Sequence, residues 1–473
     1  MIRKYIQTKI PIDWDFVLPM LSLAMPIALQ NFVASSLNMV DTIMIGQLGQ
    51  VEIAAVGLAN QFFFLFHLLL FGINSGAAIF TAQFWGKKDV GNIRKILGIN
   101  LGCSLIASML FSMVSFIFPA VILSIFTVDH AVINLGSSYL RIVAVSYFLN
   151  AIAFAYASVL RSTGEVVLPL VISGVAILTN TFFNYILIYG HFGFPELGVD
   201  GAAVATMIAR LVETVVLVFI VYRWALVPAA NFREMLNIPI DYIKKFLKTT
   251  IPVIMNEGMW SLGVTMYTVV YARMGTGIIA AVNIASTVER LALVLFFGMA
   301  QACAVMVGNQ IGSGDEEKAF RYAKRFAFLG PAIGVFISLT ILWSSSWITS
   351  FYHVNATVID LTTKLILIFA LTIPIRIFNL MMIVGILRSG GDTTFCLIID
   401  TAGLWFIAVP LAFCAGLIWH LPAHLVYLLV ASEELFKFCL GIFRLLSKKW
   451  INNLTHHLTH LPESFSISAE EEP

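Results

Sequence analysis

Charge is what this sequence has least of. Only 11% of its 473 residues are Asp, Glu, Lys or Arg, while 59% are hydrophobic. A water-soluble chain carries about a quarter charged residues, so this surface has to face something apolar, and lipid is the natural candidate. A net charge of +2 excludes the basic footprint of a nucleic-acid binder. Cysteine is nearly as scarce. The five present (Cys103, Cys303, Cys396, Cys414 and Cys439) lie inside apolar runs with no CxxC spacing, which excludes a disulfide scaffold and a thiolate metal site and leaves small buried hydrophobes. The N-terminus, MIRKYIQTKIPIDWD, lacks the apolar core and cleavage site of a signal peptide. Also missing are an HExxH helix, a Walker loop and a GxSxG elbow. No motif argues for an enzyme, no cofactor is called for, and uphill work by this chain has to draw on an ion gradient.

What is abundant is apolar sequence in long runs. A hydrocarbon core of about 30 Å takes roughly 20 apolar residues per helix. That ruler predicts twelve spans, at 17–45, 54–84, 96–126, 131–160, 166–190 and 199–224, then 246–273, 279–309, 325–350, 358–388, 393–418 and 422–446. The runs are continuously apolar where barrel strands would alternate, so the class is all-α. Basic residues cluster at the N-terminus (Arg3, Lys4, Lys9), after the second span (Lys87, Lys88, Arg94, Lys95), after the sixth (Arg223, Arg233, Lys244, Lys245, Lys248), after the eighth (Lys318, Arg321, Lys324, Arg325) and after the twelfth (Arg444, Lys448, Lys449). Arg161 and Arg388 join them after the fourth and tenth, and Arg273 is the main exception. Both termini are therefore expected in the cytoplasm, with the chain in a plasma or bacterial inner membrane.

The chain also repeats itself. Pro26 and Pro252 are 226 positions apart, as are Gly49 and Gly275, Gly72 and Gly298, Gly86 and Gly312, and Asp89 and Asp315. At 227, Leu160-Arg161-Ser162-Thr163-Gly164-Glu165 falls on Leu387-Arg388-Ser389-Gly390-Gly391-Asp392. Matches at Pro, Gly, Arg and Asp are hard to produce by chance in apolar sequence. Each half has an even number of spans, so the repeats are parallel, related by an axis along the membrane normal. The expected division is an N-lobe at 1–224, a cytoplasmic linker at 225–245, a C-lobe at 246–450 and a disordered tail at 451–473, whose His456-His457 and His460 read as solvated residues.

Several stretches together carry a resemblance. They are Asn38-Met39-Val40-Asp41-Thr42 running on to Gly49, Ala54-Ala55-Val56-Gly57-Leu58-Ala59-Asn60, Gln83-Phe84-Trp85-Gly86, Leu160-Arg161-Ser162-Thr163-Gly164, Asn180-Thr181-Phe182-Phe183-Asn184 and Leu197-Gly198-Val199-Asp200-Gly201. In this order the chain, from about Pro19 to Lys448, resembles the multidrug and toxic compound extrusion (MATE) family. The resemblance implies a V-shaped pair of six-helix lobes. It also implies antiport of organic cations or other xenobiotics against protons or sodium by rocking alternating access, with small organic molecules and the bilayer as partners and a monomer as the working unit.

It further implies a site. Asp41 matches the family's N-lobe coupling aspartate; from position alone it is equally an interfacial carboxylate. Asn180 and Asn184 are one turn apart on one helix face, read either as helix–helix glue or, with Asp41 and a hydroxyl from Thr206, as oxygen ligands for sodium or a relay for one proton. Glu257, about one turn after Pro252, resembles the C-lobe glutamate of many members. Its expected partner, if it is salt-bridged, is Arg376, in a neighbourhood where some members carry an aspartate and this chain has none. Arg210 with Glu213, Glu289 near Arg290, and Glu433-Glu434 with Lys437 read as structural pairs, and Asp400 has no partner near it in sequence. The other readings are a flippase for lipid-linked precursors, against which the missing extra spans and basic cavity count, and a non-transporting receptor or scaffold, which gains little from intramembrane carboxylates.

Overall fold

The computed structural model describes residues 13–456 apart from 351 and 353. In lipid every backbone N–H and C=O must be satisfied within its own segment, which leaves the helix as the economical solution for runs like these. The helices are α1 (Trp14–Gly46), α2 (Gln50–Gly86), α3 (Val90–Ile117), α4 (His130–Ala144 and Ser146–Ser162, bent by 47°), α5 (Val167–Tyr189) and α6 (Gly198–Arg223). After the linker come α7 (Ile240–Met274), α8 (Thr276–Ser313), α9 (Glu316–Ser350), α10 (Ala356–Leu387), α11 (Thr393–Ile418) and α12 (Ala423–Val430 and Ser432–Leu446). Nine of them are long and apolar enough to cross a membrane on composition alone, and the bent pair of α4 makes ten. The other two, α7 and α12, carry Asn256 and Glu257, and Glu433, Glu434 and Lys437, polar groups that lower their hydropathy and find partners inside the C-lobe. The outer surface holds large apolar side chains in the open, such as Trp343 at 89% exposure and Phe406 at 80%, which water would not tolerate in such numbers.

The expected parallel repeat is visible in reciprocal contacts. A Cβ on Gly72 would meet Ile254 on α7, and a Cβ on Gly298 would meet Ala28 on α1; Ile254 and Ala28 are themselves 226 apart. A Cβ on Gly86 would strike the Asn309 carbonyl, and one on Gly312 the Gln83 carbonyl, again equivalent positions. Gly86 and Gly312 let the backbones of α2 and α8 touch across a pseudo-twofold axis, and Gly72 and Gly298 admit α7 and α1. Gly49 and Gly275, also equivalent, break α1 from α2 and α7 from α8 at φ of 156° and 146°, a region open to glycine alone.

These contacts run from the middle of the helices, at Gly72 and Gly298, to the end where α1 and α7 begin and α2 and α8 close, at Gly86 and Gly312. The lobes are therefore joined at the linker end, and Asp41, near the far end of α1, lies away from the seam. The linker is more ordered than a flexible connection. A short helix, Phe232–Leu236, is closed by a capping box between Asn231 and Glu234, Glu234 pairs with Arg94 at 3.1 Å, and α7 begins at Ile240. The tail boundary expected at 451 falls too early. Trp450 is fully buried, Asn452 donates from its backbone to the Gly390 carbonyl at 3.0 Å, and Gln83 of the N-lobe donates to the Asn452 carbonyl at 3.1 Å and accepts from the Leu454 N–H at 2.8 Å. Residues 451–456 thus stitch the two lobes at the seam, and the rest of the expected tail, with His457 and His460, lies outside the described residues.

Candidate functional site

Within the N-lobe, α1, α2, α4, α5 and α6 surround a cavity of about 540 Å³, large enough for a drug-sized molecule. Its polar side chains form two chains of hydrogen bonds. The first joins the residues expected from sequence. Asn184 donates to Asp41 Oδ1 at 2.6 Å and to Asn180 Oδ1 at 3.0 Å. Asn180 donates to Thr206 Oγ1 at 3.4 Å, and Thr206 passes its own proton to the Ala202 carbonyl at 3.0 Å. The one-turn spacing on α5 aligns the two amides, α1 supplies the carboxylate and α6 the hydroxyl. Asn184 Oδ1 is buried and accepts nothing among the described residues, an orphan oxygen beside a carboxylate. Asp41 takes part in none of the ion pairs found among the described residues.

The second chain, which sequence reading did not assemble, runs along the linker-side wall. Arg161 Nη1 donates to Gln30 Oε1 at 3.4 Å, Gln30 Nε2 to Ser173 Oγ at 2.9 Å, and Ser173 Oγ to Glu213 Oε1 at 3.3 Å. Glu213 ends it in the expected pair with Arg210 at 2.6 Å. His67, also missed, lies in the same wall between Phe63 and Phe154, with its Nδ1 unpartnered among the described residues. A signal for Arg161 was present in the repeat: a 227-residue offset equates it with Arg388, and the 226-residue offset that equates Pro26 with Pro252 equates Gln30 and Asn31 with Asn256 and Glu257.

The C-lobe handles its charges differently. Glu257 is salt-bridged, and its partner is Arg388 at 2.7 Å rather than the expected Arg376. Arg376 sits too far along α10 and pairs with Glu289, which also accepts from Tyr427 at 3.3 Å. The reason is height along the helix: Arg388, twelve residues and about 18 Å beyond Arg376, follows a π-helical stretch, Met381–Leu387, and lies in the layer of α7 that holds Asn256 and Glu257. Arg388 also donates to Asn256 Oδ1 at 2.6 Å, Asn256 Nδ2 to Asp400 at 2.7 Å, and Lys437 pairs with Asp400 at 2.6 Å and with Glu433 at 3.3 Å. Asp400, without a partner in sequence terms, has two in space. Among the described residues no group of three or more His, Cys, Asp or Glu is placed to hold a metal.

Comparison with known proteins agrees with this architecture. The MatE family model matches residues 26–186 and again 252–414, one match for each lobe. The chain is 24% identical over 445 residues to the uncharacterized transporter YisQ of Bacillus subtilis, covering 94% of this chain and 96% of that one. It is 23% identical to the probable multidrug resistance protein NorM of Thermotoga maritima, covering 91% and 92%. The solved Vibrio cholerae MATE transporter VcmN superposes with a TM-score of 0.83 at 18% identity, covering 93% of this chain and 98% of that one. With two six-helix lobes, a seam at one end and both halves matched by one family model, the chain belongs to the MatE family of multi-pass multidrug efflux transporters.

Proposed function

We propose that the chain is a secondary antiporter that exports small organic compounds, cationic ones among them, in exchange for a proton or sodium ion. The observation that carries this reading is Asp41: a carboxylate in a lipid-embedded cavity, hydrogen-bonded to Asn184 and in no ion pair among the described residues. An intramembrane carboxylate without a counter-ion is costly to keep charged, so it gains from taking up a small cation. A proton would neutralise it directly. Sodium would find oxygen ligands in Asp41, in the amide oxygens of Asn180 and Asn184, and in the Thr206 hydroxyl. Occupancy changes the charge at the far end of α1 and thereby biases the rocking of the lobes about their seam.

With the linker and both termini on the cytoplasmic side of an inner membrane, as the basic loops favour, the seam closes the cytoplasmic end and the cavity opens outward. Each chain has its own cavity and works as a monomer. In the C-lobe, Glu257 and Arg376 act through their ion pairs. The test uses everted vesicles under an imposed proton or sodium gradient, with ethidium as the probe. The wild type moves ethidium under one of the gradients, and Asp41→Asn loses that gradient-driven movement at least tenfold. If neither gradient drives ethidium the antiport reading fails; normal transport by Asp41→Asn removes Asp41 from the coupling site.

A further inference from the structure

The two repeats carry equivalent arginines in unequal surroundings. Arg388 has a carboxylate, Glu257, at 2.7 Å. At the position equivalent to Glu257 the N-lobe has Asn31, and Arg161 is in no ion pair among the described residues. Its polar contact is a long hydrogen bond to Gln30, the equivalent of Asn256. A guanidinium cannot shed its proton, and an uncompensated charge half-buried in the last turn of α4 gains from a counter-charge supplied from elsewhere.

The space beside it fits that need. Arg161 and Phe154 form the wall between the large N-lobe cavity and a smaller one of about 70 Å³ on the pseudo-twofold axis. That volume holds several waters or one carboxylate. Its lining includes Arg161, Arg388, Asn74 and Gln301, and no acid. Arg388 is 3% exposed, and its Nε and Nη1 groups are buried without a hydrogen-bond partner among the described residues. Three of the four serines around the space have committed their protons: Ser158 to the Asn74 carbonyl, Ser162 to the Ser158 carbonyl and Ser389 to the Ile386 carbonyl. The charged donors lining the space are the two guanidiniums, one from each lobe, beside Ser75 and the Gln301 amide. Two such forks facing one small space match the planar geometry of a carboxylate or phosphate oxygen set.

We propose that this space is an anion subsite for the carboxylate or phosphate of an amphoteric substrate, held mainly by Arg161 with Arg388 across the seam. It rests on the transporter reading and narrows its substrate class. Asp41 and Arg161 then mark opposite ends of one binding path. Gln30, which contacts Arg161, and Asp41 are eleven residues apart on α1, about 16 Å along the axis, so the cation of such a substrate lies toward Asp41 and its acid group toward the seam.

The experiment measures equilibrium binding to the purified full chain in nanodiscs, by anisotropy, of two dyes sharing one cationic scaffold: rhodamine 6G, an ester, and rhodamine 19, its free acid. The wild type binds the acid more tightly. Arg161→Gln lowers affinity for the acid about tenfold more than for the ester, the worth of one charge-assisted hydrogen bond, and Arg161→Lys recovers part of the difference. Thermal melts run on each variant separate this from misfolding. Equal affinities for the two dyes in the wild type, or equal losses in Arg161→Gln, overturn the proposal. So does an acid advantage that disappears when gluconate is replaced by chloride, which assigns the space to a free inorganic anion. Ethidium carries no acid group, so its gradient-driven export stands or falls separately.

Discussion

The two lobes place polar groups at equivalent layers and use them in opposite ways. In the C-lobe the charges are mutually consumed: Glu257 with Arg388, Asp400 with Lys437 and Asn256 between them. In the N-lobe Arg210 and Glu213 pair, while Asp41 and Arg161 face a cavity of about 540 Å³ with no counter-ion among the described residues. One substitution in the repeat, glutamate in one half and asparagine in the other, separates a structural arginine from one open to a ligand. Internal duplication thus supplies a common scaffold, and a single carboxylate present in one half and not in the other decides whether its arginine is ion-paired.

The sharpest way to break this comparison is to remove each arginine in turn. Arg388→Gln strands Glu257 in the C-lobe interior and should cost about 3–5 kcal/mol, the usual penalty for breaking a buried pair from one side. Arg161→Gln, with no carboxylate to strand, should cost at most about 1 kcal/mol. Reversible unfolding in mixed micelles checks both, and the double variant Arg388→Gln with Glu257→Gln should recover most of the loss. Equal costs for the two arginines would mean that the lobes are not electrostatically unequal.

The seam tests the part that is symmetric. Gly86→Ala and Gly312→Ala each put a methyl group onto a backbone carbonyl of the opposite lobe, so each should destabilise by about 1–3 kcal/mol through overpacking. Because the contacts are reciprocal, the two melting shifts should agree closely; a large disparity would argue against a true twofold seam. The smallest expected effect is the most diagnostic. Asn31→Glu transplants the C-lobe carboxylate beside Arg161, changes stability by less than about 1 kcal/mol, and should erase the preference for rhodamine 19 over rhodamine 6G in the same binding assay.

Much of this molecule was legible in one dimension, because a membrane restricts the solutions. Continuous apolar runs have to be helices, and their number and the 226-residue offset together imply two parallel lobes. The Asp41, Asn180, Asn184 and Thr206 cluster was legible too, through the one-turn spacing on α5 and the resemblance of the flanking stretches. The partner of Glu257 was not. Arg376 and Arg388 are both on α10 or at its end, about 18 Å apart along the axis, and choosing between them requires knowing which height of α10 packs against Glu257 on α7. The linker-end clasp of Asn452 and Leu454 on Gln83 was hidden for a similar reason, since its hydrogen bonds run through backbone groups that carry no residue signature.

By itself, then, the sequence determined the solvent, the helices, the repeat and the chemical identity of the groups inside the membrane, since each depends on composition and local spacing. Only the tertiary structure decided which charge meets which. An ion pair forms or fails over an ångström or two, and that distance is set by packing between helices more than a hundred residues apart in the chain. Arg161 and Arg388 are the same residue in the same repeat; the neighbours brought to them across the fold leave one paired with a carboxylate and the other in no ion pair among the described residues.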